Sequence, residues 1–185
     1  MSDDVSVRRL DPNDAVACVP ALADVLIDCV DGGASVGFMQ PMTVEKATRF
    51  WQAVAEGVAR GERALLIAED EARQILGTVQ LLLALPENQP HRADVAKMLV
   101  HRRARRRGVA RRLMQAVEVA ARDEGKTLLV LDTVSGSDAE QLYAHAGWQR
   151  VGEIPDYALM PDGPFCATTI FYKALGLSFR AEVRG

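Results

Sequence analysis

An α/β fold, with a mixed central sheet of about six to seven strands flanked by about four helices, is what the hydrophobic pattern of this chain predicts. Short apolar or alternating runs suited to strands are interleaved with stretches whose apolar residues recur at helical spacing. One run, Thr127-Leu128-Leu129-Val130-Leu131, is almost continuously apolar, as expected of a strand buried on both faces at the centre of a sheet. Hairpin-like strand pairs stand towards both ends. With 185 residues and 49% hydrophobic content the chain can bury one substantial core, so residues 1–185 are expected to form a single domain.

Val5-Ser6-Val7 begins a short alternating strand. Asp11-Pro12-Asn13 supplies a capping side chain and a proline suited to a first helical turn, and the helix it opens should run to about Val30, kinked or divided by Pro20. Asp31 to Phe38 breaks all periodicity. Thr43 then starts a second helix, with Val44, Ala47, Trp51, Val54 and Val58 on one face and Gly61 as its end. Two strands, Ala64 to Ala68 and Ile75 to Leu85, are joined by the polar turn Glu69-Asp70-Glu71-Ala72-Arg73.

A strand from Asp94 to Val100 precedes a basic loop and a helix reaching about Glu124, with Leu113, Val117 and Ala120 at helical spacing. After the Thr127 strand, Ser137-Asp138-Ala139-Glu140 reads as a capping box, and Gly147 closes the short helix it opens. Trp148 to Ile154 and Thr168 to Lys173 are the last strands, around a loop rich in Pro, Gly and Asp. No internal repeat or low-complexity segment interrupts this order.

The net charge is −3, and its distribution is uneven. From Lys97 to Arg112 the chain carries eight basic residues and no Asp or Glu; taking those eight away from −3 leaves −11 on everything else. Such a surface repels a polyanion while its basic loop attracts one compact anion, and the loop lacks interleaved aromatics for base stacking. A nucleic-acid partner is therefore not expected. Cys18, Cys29 and Cys166 are odd in number and widely spaced, without a CxxC or Cys/His cluster, which points to a reducing cytoplasm rather than a disulfide framework. His91, His101 and His145 lack metal-ligand spacing, so no metal is expected. Met1-Ser2-Asp3-Asp4 is acidic where a signal peptide is basic, and no apolar run approaches membrane-spanning length; a soluble, cytoplasmic protein with no membrane partner is the expectation.

Arg105-Arg106-Arg107-Gly108-Val109-Ala110 is the most informative segment, because a strand turns there directly into a helix N-terminus. That geometry presents unpaired backbone N–H groups and the positive end of the helix macrodipole, which together attract phosphate. Gly108 and Ala110 are small enough to let a diphosphate reach the amides. The spacing resembles the Arg/Gln-x-x-Gly-x-Gly/Ala signature of the GCN5-related N-acetyltransferase (GNAT) family, which binds acetyl-CoA at that point. Gly32 to Met39, Arg92-Ala93-Asp94-Val95, Leu131-Asp132-Thr133, Arg150 to Pro155 and Pro161-Asp162-Gly163 further resemble the tabtoxin-resistance branch of that family, which acetylates a small amino-acid-like toxin. The similarity runs over nearly the full length. It departs in the helix between Thr43 and Arg60 and at Asp94, where that branch carries Glu; an Asp is one methylene shorter, so a base here needs a closer amine or a bridging water.

The resemblance implies the GNAT fold, acetyl-CoA as acyl donor, a small-molecule amine as acceptor, direct attack without an acyl-enzyme, and a prior for a homodimer. It implies that Met98, Leu99 and Val100, then Arg105, Arg106, Arg107, Gly108, Val109, Ala110 and Arg111, and Ser137 hold the coenzyme, the Leu99 N–H polarising the thioester oxygen. Tyr143 in Leu142-Tyr143-Ala144-His145-Ala146-Gly147-Trp148 matches the family's Leu-Tyr-x-x-x-Gly-Phe helix, whose tyrosine faces the coenzyme's sulfur. A phenol of pKa about 10 can protonate a departing thiolate of pKa about 8.5.

An alkyl amine, with a reference pKa of about 10.4, must lose a proton before it can attack. Asp94 and Asp132 are the candidates to bind the ammonium and accept that proton, because each interrupts an apolar strand, where an unpaired carboxylate is costly. Against this stands the plainer possibility that Asp94 ends a loop and Asp132 caps a turn. Gly32, Gly33, Ser35, Phe38 and Tyr157 are expected around the acceptor by position, although a glycine-rich loop can equally be a simple turn. The competing function is a non-catalytic acyl-CoA sensor that keeps the phosphate cradle, and Tyr143 with both aspartates argues against it.

Overall fold

The computed structural model describes residues 5–176. Along the chain it forms β1 (Ser6–Arg9), α1 (Pro12–Ala17), α2 (Val19–Asp31), α3 (Val44–Ala59), β2 (Arg63–Glu69), β3 (Ile75–Leu82), β4 (Arg92–Val100), a short 3-10 turn (Arg102–Ala104), α4 (Val109–Asp123), β5 (Leu128–Val134), α5 (Asp138–His145), β6 (Gln149–Leu159) and β7 (Phe165–Ala174). The strands make one sheet in the order β1-β2-β3-β4-β5-β7-β6. Every neighbouring pair is antiparallel except β4 with β5, which run parallel because α4 carries the chain across between them.

Helix starts follow their local chemistry. Asp11 accepts the N–H of Asp14 at 2.8 Å and Thr43 that of Lys46 at 3.2 Å. The first helical stretch is divided into two helices, but the break falls at Cys18 rather than at Pro20, because a proline without an N–H belongs in the first turn of α2. That division accounts for a fifth helix. The capping box is also altered: Ser137 accepts the Glu140 N–H at 3.2 Å, but Glu140 returns to the N–H of Gly136 and takes the Thr169 hydroxyl at 2.9 Å.

Two apolar layers cover the sheet. Leu113, Met114 and Val117 of α4, with Tyr143 and Trp148, pack on one face; Leu22, Leu26, Trp51 and Val54 of α2 and α3 pack on the other. The double burial expected of the Thr127 strand is found instead in β2 and β3, which are enclosed almost throughout, whereas β5 buries Leu129 and Leu131 and leaves Asp132 exposed. The last hairpin is longer than the sequence suggests. β6 continues past Pro155 through a register shift between Ile154 and Ala158, with Asp156 at a φ of 50°, which an edge strand tolerates. No helix among the described residues is long and apolar enough to cross a membrane.

Candidate active site

The parallel pairing of β4 with β5 joins Arg92 to Leu128, Ala93 to Leu129 and Asp94 to Val130, and then stops. From Val95 onward β4 is bonded only to β3, and from Leu131 onward β5 only to β7, so a wedge opens between the two strands. A bulge in β4 shapes that wedge. Thr78 pairs with Leu99 and Gln80 with Ala96, so both Lys97 and Met98 stand opposite Val79, with Lys97 at a φ of 51°. Ala93 and Val95 consequently enter the core under α4 while Leu99 enters the core under α2 and α3, although a regular strand would put all three on one face.

The same register decides which amides are available. The His101 N–H donates to the Leu76 carbonyl at 2.9 Å, so the antiparallel alternation aims the Leu99 N–H at β3 and those of Met98 and Val100 at the open side. The Val100 carbonyl likewise points away from β3, accepting from Cys29 Sγ at 3.5 Å. The free donors of β4 thus belong to Met98 and Val100, not to Leu99.

The wedge holds a cavity of about 470 Å³. Lys97 and Met98 form one wall, Asp132, Thr133 and Val134 the other, and Ser137 and Tyr143 border it from the α5 side. Gly33, Ser35, Tyr157 and Thr168 also line it. The loop after α2 is strapped across this end: Ser35 Oγ donates to the Leu159 carbonyl and the Gln40 N–H to the Pro161 carbonyl, both at 3.0 Å. Asp94 lies outside the lining, where the wedge begins. Gly32 and Phe38 also lie outside it; Phe38 packs edge-on against Phe50 with ring centroids 5.1 Å apart.

Asp132 is the electrostatic centre. Thr168 Oγ1 sits 2.8 Å from its carboxylate and 3.0 Å from the Thr133 carbonyl. Burial, reinforced by the Asp132 charge, raises the Tyr143 phenol above its ordinary pKa. Its ring is held against Trp148 and Phe171, with centroids 6.1 and 6.0 Å away. Burial also raises the Asp94 carboxyl, with Asp132 adding to the rise and Arg92, 3.3 Å away, opposing it. Lys97 is pushed down by burial and partly restored by Asp132. Burial lifts the Cys29 thiol to about 11, which makes it a core residue rather than a nucleophile.

The basic loop stands beyond the C-terminal end of β4, outside the cavity lining. Gly108, at a φ of 75°, precedes α4 with no side-chain cap, and the first turn carries no acid. The Arg112 N–H reaches back to the Gly108 carbonyl at 3.1 Å, which leaves the N–H groups of Val109, Ala110 and Arg111 without helical partners. Arg106 also takes a positive φ, of 61°. Arg102 is committed to Asp28 through its backbone N–H at 2.7 Å and Nε at 2.9 Å, and Arg103 donates to the Ile75 carbonyl at 3.2 Å. Arg105, Arg106 and Arg111 are exposed and make no ion pair among the described residues, while Arg107 and Arg112 have interactions of their own. An uncapped, acid-free helix end ringed by uncommitted guanidiniums fits a diphosphate. Among the described residues no three His, Cys, Asp or Glu side chains gather as metal ligands.

Thr168 and Lys97 both line the cavity and carried no functional expectation. Thr168 anchors Asp132 from a strand paired only in three dimensions. Lys97 had a visible signal, a lysine inside an otherwise apolar strand, but its direction depends on the bulge.

Comparison with known proteins agrees with this architecture. Residues 61–150 match the model of the acetyltransferase (GNAT) domain. An uncharacterised N-acetyltransferase from the hisH–hisA intergenic region of Azospirillum brasilense is 34% identical over 131 residues, spanning 70% of this chain and 75% of that protein. An N-acetyltransferase from Staphylococcus aureus Mu50 superposes with a TM-score of 0.75 at 16% identity, over 92% of this chain and 98% of that one. The yncA protein of Salmonella typhimurium, a proposed acetyltransferase solved with acetyl-CoA, superposes with a TM-score of 0.74 at 16% identity, over 93% and 94%.

Proposed function

Because this chain belongs to the acetyltransferase (GNAT) family, we propose that it is an acetyl-CoA-dependent N-acetyltransferase acting on the amine of a small, amino-acid-like molecule in the cytoplasm. The observation that carries the proposal is the wedge between β4 and β5, which sets Asp132 and Tyr143 around one cavity while α4 offers an uncapped N-terminus beyond the end of β4.

The amides of Val109, Ala110 and Arg111, with Arg105, Arg106 and Arg111, hold the diphosphate. The Met98 and Val100 N–H groups lie along the opened edge of β4, where they serve the pantetheine arm and the carbonyl oxygen, the role otherwise expected of Leu99. When bound, acetyl-CoA supplies an activated acyl carbon that an amine attacks directly. Asp132 meets the ammonium in the cavity, and Asp94, raised by burial, accepts its proton through water. Tyr143, kept fully protonated by its raised pKa, donates the proton to the departing sulfur. The resemblance of Gly32 to Met39 and of Arg150 to Pro155 to the tabtoxin-resistance branch supports detoxification of an amino-acid analogue as the setting.

The test is calorimetry with acetyl-CoA, followed by a CoA-release assay across a panel of amines and amino-acid analogues. Binding with turnover of at least one amine is expected. Binding without any turnover would favour an acyl-CoA sensor, and absence of binding would overturn the proposal.

A further inference from the structure

Lys97 is a cation set where a catalytic wedge for amines has no evident need of one. It lines the cavity on the β4 wall, facing the Asp132 wall. No carboxylate lies within ion-pair distance of its ammonium among the described residues. The head group is flanked instead by aromatic rings, with Nζ 5.9 Å from the centroids of both Phe38 and Phe50. A cation–π setting of this kind tolerates a positive charge without neutralising it, so the ammonium remains available to an anion. The backbone makes the placement specific. Lys97 adopts a left-handed φ of 51°, a conformation that costs a side-chain-bearing residue energy and persists where the surroundings impose it.

We propose that Lys97 is a carboxylate-binding residue for the acceptor, so that the substrates of this enzyme carry a carboxylate in the same small molecule as the reactive amine. The amine goes to the anionic β5 wall at Asp132 and the carboxylate to the cationic β4 wall at Lys97. The two diverging strands thus present opposite charges to the two ends of a zwitterion. An amine lacking the carboxylate leaves a half-buried ammonium unpaired, and a cavity with that defect rejects it. Burial that depresses the Lys97 pKa acts in the same direction, because an arriving carboxylate restores what desolvation removes. The inference rests on the acetyltransferase assignment above and adds the acceptor's anionic group to it.

The experiment is calorimetric, in the presence of saturating CoA, so that binding is read without catalysis. The probes are amino acids paired with their carboxamides and their decarboxylated amines, lysine with cadaverine and phenylalanine with phenethylamine among them. Wild-type protein is expected to bind at least one carboxylate-bearing member about tenfold or more tightly than its partners that lack the carboxylate, the scale of one charge-assisted contact. Lys97→Met should erase that preference while binding acetyl-CoA as the wild type does, and Lys97→Arg should keep most of it. No carboxylate preference in the wild type, or a preference that survives in Lys97→Met, overturns the inference. Equal weakening of acids and amines in Lys97→Met overturns it too, since that is a packing effect. Failure to bind acetyl-CoA overturns the acetyltransferase proposal and this inference together, whereas acetyl-CoA binding without carboxylate preference overturns the inference alone.

Discussion

The Asp132 carboxylate, fixed by the Thr168 hydroxyl at 2.8 Å, acts on Tyr143 from the neighbouring helix and raises the pKa of a phenol already raised by burial. A negative charge beside a tyrosine disfavours the phenolate, so the phenol keeps its proton at neutral pH and is a weaker acid than an exposed tyrosine. Tyr143 is therefore a proton-bearing group of this cavity at neutral pH, the state that its proposed role requires.

Tyr143→Phe is expected to lower kcat by about a hundredfold, within the range of general acid catalysis, while leaving acetyl-CoA affinity nearly intact. Phe keeps the ring against Trp148 and Phe171, so stability should change little. Steady-state kinetics beside calorimetry checks both; an unchanged kcat removes Tyr143 from the mechanism.

Asp94→Asn should separate activity from stability. The native Asp94 pKa is raised above its unfolded value, mainly by burial, so its favourable contribution exists below about pH 4 and is lost as pH rises through the native pKa. At pH 7 the ionised carboxylate is a cost that Asn removes, and Tm should rise there but not in acid. Turnover should fall about tenfold or more if Asp94 accepts the proton. Thermal melts at pH 7 and pH 4 with parallel rate measurements decide it.

Gly108→Val tests the phosphate cradle. Nothing lies within 4 Å of a Cβ at this position, so the cost comes from forcing a branched residue to a φ of 75° and from a side chain beside the open amides. Acetyl-CoA should bind about tenfold or more weakly, and raising salt should weaken wild-type binding, as expected for exposed arginines on a diphosphate. Wild-type affinity in the variant would move the diphosphate elsewhere.

Asp28→Asn should loosen the same loop from behind. Burial alone would raise the Asp28 pKa, but the backbone and side-chain hydrogen bonds of Arg102, with His101 nearby, bring it below its ordinary value. The stabilisation is thus present above about pH 4 and lost as pH falls through the depressed native pKa. The variant should lower Tm at pH 7 and converge with wild type in strong acid, as melting curves across pH will show.

Local chemistry was legible because it acts over a few residues. Asp11, Thr43 and Ser137 start helices where capping side chains must, and Gly108 precedes α4 where a left-handed turn is needed. The hydrophobic rhythm likewise assigned nearly every strand, and the Arg105-x-x-Gly108-x-Ala110 spacing pointed to the phosphate cradle. What it could not register was pairing between distant strands. Whether β5 is covered on both faces, whether β6 runs through Pro155 and where β4 parts from β5 depend on which elements pack alongside, and none of those neighbours is near in sequence.

The sequence by itself determined the α/β order, most helix starts and the uncapped Gly108 turn before α4, since each is set by side chains acting on backbone a few residues away. Only the tertiary structure decided that Lys97 faces the cavity, that the Met98 and Val100 amides rather than that of Leu99 are free, and that Thr168 braces Asp132. A single bulge in β4 reverses which side every later residue faces, and it is read from the register with β3.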